Sequence, residues 1–305
     1  MKKSYSKENR AHRKLYWDFG LAGFGSGFNL LVLAICYAEK SKLKFVLFSK
    51  YSSISYQNGF TDYFLPFAEP EKNETILFPY ISFRFPQKKS KIKKVLISII
   101  RHAHFLLKEK RRNVIHFEDM ASRIWNPNFI SSNSFEDYQE IAKRIWRFNS
   151  ETRNYCESKI EALSLPNSYA CIHVRRGDKS TEVQEPFPDI SKYIEYAQTN
   201  EIEVESYFIM IDDYSVFEEF KEKFPALSFY TLAEKNMRGH WQKTFNSTDK
   251  NKKRVDMLNL LTEIEIAKKS KLFIGTESSN LYRLIALFKE ANTCISVDTW
   301  KVSFF

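Results

Sequence analysis

The chain lacks the long hydrophobic runs that membrane spans require. No part of its 305 residues reaches about 18 uninterrupted apolar residues, the length expected of a transmembrane helix. The basic N-terminal segment, residues 1–20, lacks the apolar core of a signal peptide. We therefore expect a cytoplasmic protein, with peripheral contact to a membrane as an open alternative.

Cysteine is also scarce. The four cysteines (Cys36, Cys156, Cys171 and Cys294) show no metal-ligand spacing, and two of them lie inside apolar runs. This pattern predicts reduced thiols rather than a disulfide framework or a metal site. The chain also has no zinc-finger spacing and no aromatic signature of RNA-binding domains, so we expect no nucleic-acid partner.

What the chain does contain is a large apolar fraction and an uneven charge. Hydrophobic residues make up 43% of it and aromatic residues 16%, which argues against disorder. Residues 1–160 hold 28 of the 47 basic and 15 of the 37 acidic residues, a net charge of +13 against −3 in the remainder. The densest basic segment, residues 88–112, predicts either a buried element flanked by solvated lysines or contact with an anionic membrane surface.

Strand and helix patterns alternate along the chain. Helix-like spacing of apolar residues is found at 28–38, 135–163, 190–198, 216–224, 254–268 and 281–289. Strand patterns are found at 45–48, 170–174, 207–211, 272–274 and 293–297. This alternation predicts an α/β fold with parallel sheets and helices on both faces. We place a domain boundary near residue 164, which gives an N-terminal domain of 1–164 and a C-terminal domain of 165–305.

The segment YACIHVRRGDK, residues 169–179, is the most informative of the chain. Its apolar part predicts a buried strand that ends near His173, and Arg175, Arg176 and Lys179 follow. Ligands of open α/β sheets bind at the carboxyl ends of strands, and arginine presents a bidentate fork to phosphate oxygens. The pattern indicates a phosphate-rich ligand, and a surface turn with solvated charges is the alternative.

Two further strand ends point to the same chemistry. Asp212 and Asp213 follow one strand, and Ser278 and Ser279 open the helix that follows another. Free amides at a helix N-terminus favour an anion, so the strand ends together predict a diphosphate site. Helix capping is the alternative for both pairs. The two adjacent acids lack the Asp-x-Asp spacing of metal-dependent sugar transferases, and we expect no metal.

These elements resemble the α1,6-fucosyltransferases of glycosyltransferase family 23. The resemblance rests on HVRRGDK, the Asp-Asp strand end and FIGTESSNLYRLIAL, with AGFGSGFNLLVLAICYAEK and YQNGFTDYFLPF in the first half. It implies a GT-B fold of two Rossmann-like domains facing a central cleft, GDP-β-L-fucose as donor, and inverting transfer without a metal or other cofactor. The acceptor it implies is the 6-hydroxyl of N-acetylglucosamine in a glycan, and the basic first half would also suit a lipid-linked acceptor.

The resemblance also implies residue roles. Arg175 would grip the β-phosphate of the leaving GDP, and His173 and Glu263 would recognise guanine, although the family usually has Asp at the second position. Glu182, with Lys179 beside it, would be the general base. Glu185 is the alternative base, because the loop is one residue shorter than in the family. The other positions matched to the donor site are Gly23, Gly25, Arg176, Tyr193, Asp212, Asp213, Ser278, Ser279 and Asn280, the last replacing the family's Gln.

Three other functions stay open at this point. The first is a GDP-sugar-binding protein without activity, in which the shorter loop has lost its base. The second is a transferase that uses another GDP-sugar or another acceptor. The third is a membrane-surface or nucleic-acid binder that uses the basic half of the chain.

Overall fold

The structure is a computed structural model that describes residues 14–70, 114–115, 129, 132–177, 188–199 and 204–298. The described residues form two compact units, one up to Arg147 and the other from Phe148 onward. Each unit contains a parallel β-sheet with helices, which confirms the predicted α/β class. No helix among the described residues is long and apolar enough to cross a membrane. The basic segment 88–112 lies outside these residues.

The first unit is built on a four-stranded parallel sheet in the order β3-β2-β1-β4. Its elements in chain order are β1 (Lys14–Asp18), α1 (Phe24–Lys40), β2 (Lys44–Phe48), a 3₁₀ turn (Gly59–Asp62), β3 (Glu69–Pro70), β4 (Val114–Ile115) and α2 (Phe135–Ile145). Helix α1 is buried almost all round, as expected of a helix in a core rather than on a surface. Gly27 is required there, because a Cβ at this position would lie 2.6 Å from the Phe19 ring.

The second unit carries the strand ends of interest. Its elements are α3 (Ser150–Leu163), β5 (Ala170–Val174), α4 (Ile190–Gln198), β6 (Ser206–Ile211), α5 (Tyr214–Lys223), β7 (Ser228–Tyr230), α6 (Gln242–Ser247), α7 (Lys250–Lys269), β8 (Leu272–Gly275), α8 (Asn280–Ala286), a 3₁₀ turn (Ala291–Thr293) and β9 (Cys294–Ser296). All of its strand pairs are parallel. Strands β5 and β6 are buried along nearly their whole length, which explains their continuous apolar sequence.

The strand order of the second sheet, β7-β6-β5-β8-β9, fixes where a ligand can bind. The chain builds outward from β5 to β7 on one side, then returns to place β8 on the other side of β5. Such a reversal leaves a crevice at the carboxyl ends of the two central strands. The segments that follow β5 and β8 therefore flank the topological switch point of this sheet.

Helix α3 is held in the second unit by its contacts with α7. The Tyr155 hydroxyl donates to Asn259 Oδ1 at 2.8 Å, and the Thr262 hydroxyl lies 3.3 Å from Cys156 Sγ. Sequence reasoning places the domain boundary near residue 164, after this helix, whereas the packed units separate before it, at Phe148.

The stretch 135–163, expected to be one helix, is two helices. Helix α2 ends at Ile145, and Trp146 then packs against the rings of Phe24, Phe28 and Phe64. Asn149 starts α3 by accepting the Thr152 N–H at 2.9 Å on its side chain. Because burial of a Trp outweighs the few tenths of a kcal/mol per residue of helix propensity, the break follows the packing.

Candidate functional site

The arginine loop, residues 175–177, follows β5 directly and lies at the switch point. The Arg175 guanidinium faces the Asp212 carboxylate, with its Nε 3.6 Å from Oδ2. The backbone N–H of Arg176 donates to Oδ1 of the same carboxylate at 2.8 Å. Both charged side chains are largely covered, since Arg175 keeps 22% of its side-chain surface exposed and Asp212 keeps 11%. Asp212 therefore orients the arginine loop.

A second loop, residues 237–240, closes over the first. Its Gly239 N–H donates to the Asp212 carbonyl at 2.7 Å, and its His240 N–H reaches Asp212 Oδ2 at 3.3 Å. Gly177 has φ +26°, and a Cβ there would lie 2.3 Å from the His240 carbonyl oxygen. Only glycine permits this approach of two backbones. Sequence reasoning missed this loop, because a glycine in a polar stretch indicates a turn but not the segment that it contacts.

His173, the fourth residue of β5, is buried with 3% of its surface exposed. Among the residues that the structure describes, none forms a hydrogen bond with its Nδ1, which is unusual for a buried polar atom. Burial, with a smaller effect of the Arg175 charge, lowers the pKa of His173 to about 3. The imidazole is therefore neutral at physiological pH and can offer a hydrogen bond to a ligand.

Glu263 lies on α7, beneath the same sheet. Burial raises its pKa to about 8, and the charge of Asp212 adds to the effect. The charge of Glu263 also raises the pKa of the Cys171 thiol. Cys171 and His173 lie on the same face of β5, because strand side chains alternate. The structure thus brings His173, Glu263 and Asp212 to one region of the second unit.

The turn after β8 differs from expectation in one respect. The N–H groups of Glu277 and Ser278 donate to the Asp298 carboxylate at 2.9 and 3.1 Å, and the Ser279 N–H donates to the Thr276 carbonyl at 2.9 Å. The Ser279 hydroxyl caps α8 by accepting the Leu281 N–H at 3.3 Å. The capping alternative therefore describes Ser279, and these four amides are not free to bind a phosphate. Ser278 and Asn280 lie beside them, at the start of α8.

Tyr193 and Asp213 are also matched to the donor site of the family, and the structure shows what surrounds each of them. Tyr193 on α4 is buried, and the charges of Arg176 and Asp298 both act on its hydroxyl. Asp213 caps α5, because its Oδ1 accepts the backbone N–H and the hydroxyl of Ser215 at 3.0 and 2.8 Å. Asp213 therefore has the helix-capping role that is the alternative interpretation of the Asp212-Asp213 pair.

Of the remaining matched residues, the structure describes two, and both belong to the first unit. Gly23 and Gly25 lie at the start of α1 in the first unit. Lys179, Glu182 and Glu185 lie outside the described residues. Among the residues that the structure does describe, no three His, Cys, Asp or Glu side chains form a group that could hold a metal ion.

The fold and the strand ends define a class: a parallel α/β protein of Rossmann type with arginines at the switch point of its second sheet. No family model matches the chain, and no curated protein matches it in sequence. Its structure is similar to that of NodZ α-1,6-fucosyltransferase soaked with GDP-fucose, with a TM-score of 0.58 and 16% identity over 91% of this chain and 92% of that one.

Two further solved structures of fucosyltransferases are also similar to this chain. Fucosyltransferase NodZ from Bradyrhizobium has a TM-score of 0.55 and 16% identity, covering 90% of this chain and 92% of that one. POFUT1 in complex with GDP-fucose has a TM-score of 0.53 and 11% identity, covering 95% and 99%. The chain therefore shares the fold of these fucosyltransferases over nearly its whole length.

Proposed function

We propose that the protein is a fucosyltransferase that moves L-fucose from GDP-β-L-fucose to a glycan hydroxyl. The observation that carries the proposal is the arginine loop at the switch point, oriented by Asp212, in a fold shared with enzymes solved with GDP and GDP-fucose. The GT-B arrangement of two domains facing a cleft, and membership of glycosyltransferase family 23, belong to the same proposal.

The chemistry follows from the charges of the site. The acceptor oxygen attacks the anomeric carbon of fucose, the bond from that carbon to the β-phosphate oxygen breaks, and GDP leaves with the bonding electrons. Negative charge grows on the diphosphate as this bond breaks. Arg175 would stabilise that charge, and a cation already held in place by Asp212 needs little reorganisation. Attack opposite to the leaving group inverts the anomeric configuration.

The acceptor proton needs a base. We assign it to Glu182, with Lys179 beside it, and keep Glu185 as the alternative. The nucleoside end of the donor is assigned to His173 and Glu263, since a carboxylate suits the N1–H and 2-amino donors of guanine. Arg176, Tyr193, Ser278 and Asn280 complete the donor site in this proposal.

The positive charge in the proposed mechanism comes from arginine, so transfer is expected to need no metal. The Asp212 carboxylate accepts two backbone N–H groups and faces the Arg175 guanidinium. These partners give Asp212 the role of orienting the arginine loop. We further propose the 6-hydroxyl of N-acetylglucosamine as acceptor. Contact of residues 88–112 with an anionic membrane, bringing a lipid-linked acceptor within reach, is part of the same hypothesis.

The variant Arg175→Ala tests the proposal. We expect transfer from GDP-fucose, followed by mass spectrometry with candidate glycans in EDTA, to fall by a factor of about 10² to 10³, as on removal of a preorganised oxyanion donor. The thermal unfolding temperature should change little. Arg153→Ala, which removes an exposed arginine of α3, serves as the matched control and should keep full activity.

Three outcomes of this experiment separate the candidate functions. Wild-type activity in Arg175→Ala would contradict the assigned role of Arg175. Binding of GDP by the wild type without transfer to any glycan would favour the GDP-sugar-binding protein. A requirement for another GDP-sugar would correct the donor while leaving the nucleotide site in place.

A further inference from the structure

One carboxylate from the segment after β9 holds the turn after β8. Asp298 uses both of its oxygens on consecutive amides, accepting the Glu277 N–H at 2.9 Å and the Ser278 N–H at 3.1 Å. The Ser296 hydroxyl bonds to the same carboxylate and also lies 3.0 Å from the Glu277 nitrogen. Hydrogen bonds to an ionised acceptor are among the stronger ones in proteins, so this contact fixes the backbone of the turn.

A buried arginine contacts the same turn through a backbone carbonyl. Arg283 on α8 keeps 9% of its surface exposed, and its Nε donates to the Glu277 carbonyl at 2.9 Å. Burial lowers the pKa of Arg283, while the charges of Glu277 and Asp298 act in the opposite direction. The Glu277 and Asp298 carboxylates therefore both favour the charged guanidinium, and Asp298 in addition accepts the two amide N–H groups.

The Asp298 carboxylate also lies beside the switch point, because the turn that it holds follows β8, which pairs with the central strand β5. Burial raises the pKa of the Tyr193 hydroxyl, the charge of Arg176 lowers it, and the charge of Asp298 raises it. A cation from the arginine loop and the anion after β9 thus act on one hydroxyl of α4. Because β5 and β8 are the two strands at the reversal of strand order, the turn that Asp298 holds borders the crevice assigned to the donor.

We propose that Asp298 is a positioning residue, which holds the 276–279 turn in the shape that receives the diphosphate of a GDP-sugar. This inference rests on the proposed function. It also changes the expected mode of binding. Because Asp298 already occupies the amides of Glu277 and Ser278, the diphosphate would be held by guanidinium and hydroxyl groups rather than by these amides.

Removal of the carboxylate tests the inference. We expect Asp298→Ala to weaken the binding of GDP, measured by titration calorimetry, by about tenfold or more, because the amides of Glu277 and Ser278 lose their anionic acceptor. Asp298→Asn should lose less, since its amide oxygen can still accept one N–H. Guanosine, which carries no phosphate, should bind both variants as it binds the wild type. Glu218→Ala, which removes an exposed carboxylate of α5, should leave both affinities unchanged.

The outcomes separate this inference from the proposed function. If the wild type binds no GDP, the proposed function fails, and the inference fails with it. If the wild type binds GDP and folded Asp298→Ala binds it equally well, only the positioning role is overturned. Tighter binding by the variant would also overturn it, since the carboxylate would then compete with the phosphate.

Two further measurements keep the test decisive if Asp298→Ala does not fold. The GDP affinities of Ser296→Ala and Asp298→Asn can be compared with that of the wild type in the same way. Unchanged GDP binding in both variants would overturn the inference. Hydrogen exchange reports the turn itself, because loss of the acceptor should speed exchange at Glu277 and Ser278 while the amides of α7 keep their protection. Unchanged exchange at these two amides would contradict the proposal.

Discussion

At the scale of single residues, the surroundings of Glu263 disfavour its ionised form. Burial is the larger cause that raises its pKa to about 8, and the nearby negative charge of Asp212 is the second. Both effects favour the protonated acid. A guanine ring would present N–H donors, which stabilise the ionised form. Binding of GDP would therefore be linked to loss of a proton from Glu263.

This linkage predicts the sign of a pH effect. Above its pKa Glu263 is already ionised, whereas below it the proton must leave before guanine is accepted. We therefore expect the Kd of GDP to rise as the pH is lowered from about 9 to about 7, with a limiting slope of about tenfold per pH unit. His173 stays neutral throughout, since its pKa is lowered to about 3. Titration calorimetry at each pH measures the slope.

The matched control is Glu263→Gln, which has no proton to lose. This variant should bind GDP more weakly near pH 9 and show a flat profile between pH about 7 and about 9. A steep profile in the variant would assign the titration to another group. A flat profile in the wild type would contradict the assignment of Glu263 to guanine.

The sequence predicts the kind of residue at the site better than its partners. Arg175 and Arg176 lie at the end of a buried strand, as the apolar run before them predicts. Their contact with Asp212, and the approach of His240 to Gly177, join segments 35 residues or more apart. The strand pattern predicts that Asp212 and the arginines lie at the same edge of the sheet, but the atoms that pair, and the approach of His240, depend on tertiary packing that the sequence does not show. The same is true of the contact between Asp298 and the turn after β8.

At the scale of elements, helix α7 connects the site to the rest of the second unit. It carries Glu263, contacts β5 and β6, and packs along α3. Its first turn is capped by Asp249, whose Oδ1 accepts the N–H groups of Asn251 and Lys252 at 2.7 and 3.1 Å. A side-chain cap satisfies amides that have no partner within the helix.

We expect Asp249→Ala to lower the free energy of unfolding by about 1 kcal/mol through loss of this cap. The matched control is Asp256→Ala on the same helix, whose carboxylate forms an exposed ion pair with Lys252 at 3.1 Å. Such i,i+4 pairs contribute about 0.5 kcal/mol or less. Urea denaturation followed by circular dichroism measures both variants. Equal losses would show that the cap does not stabilise α7 beyond an ordinary surface charge.

Element types could be predicted where the pattern is long and periodic. Strands β5, β6 and β8 and helices α4 and α7 appear where the sequence predicts them, with ends shifted by a few residues. Strand β7 and helix α6 were missed, because each is short and only partly covered. Helix α8 ends three residues before the expected position, at Ala286, since periodicity alone does not report where a helix stops.

At the scale of the whole molecule, alternation of strands and helices predicts the fold class, because a parallel strand needs a crossover connection before the next. The boundary between units is harder to predict, since it depends on where a helix packs. Helix α3 precedes β5 in the chain, yet it belongs to the second unit. Its buried side, with Thr152 and Cys156, packs against α7 of that unit.

The two boundaries predict different behaviour of fragments. A fragment that begins at Phe148 keeps α3, with its bond from Tyr155 to Asn259 and the ion pair between Glu151 and Arg254. A fragment that begins at Leu165, the start of the predicted C-terminal domain, exposes the face of α7 that α3 covers. Burial of each medium-sized apolar side chain contributes about 1.5–3 kcal/mol, so we expect the shorter fragment to be less stable by several kcal/mol or to unfold without a cooperative transition. Circular dichroism during thermal unfolding compares the two.

GDP serves as the second readout for these fragments. Every described residue of the proposed nucleotide site other than Gly23 and Gly25 lies after residue 165, so the shorter fragment loses none of them directly. If its GDP affinity falls together with its stability, helix α3 supports the site by holding α7, and with it Glu263, against the sheet. Equal stability and equal affinity of the two fragments would instead place the folding boundary after α3, where the sequence alone puts it.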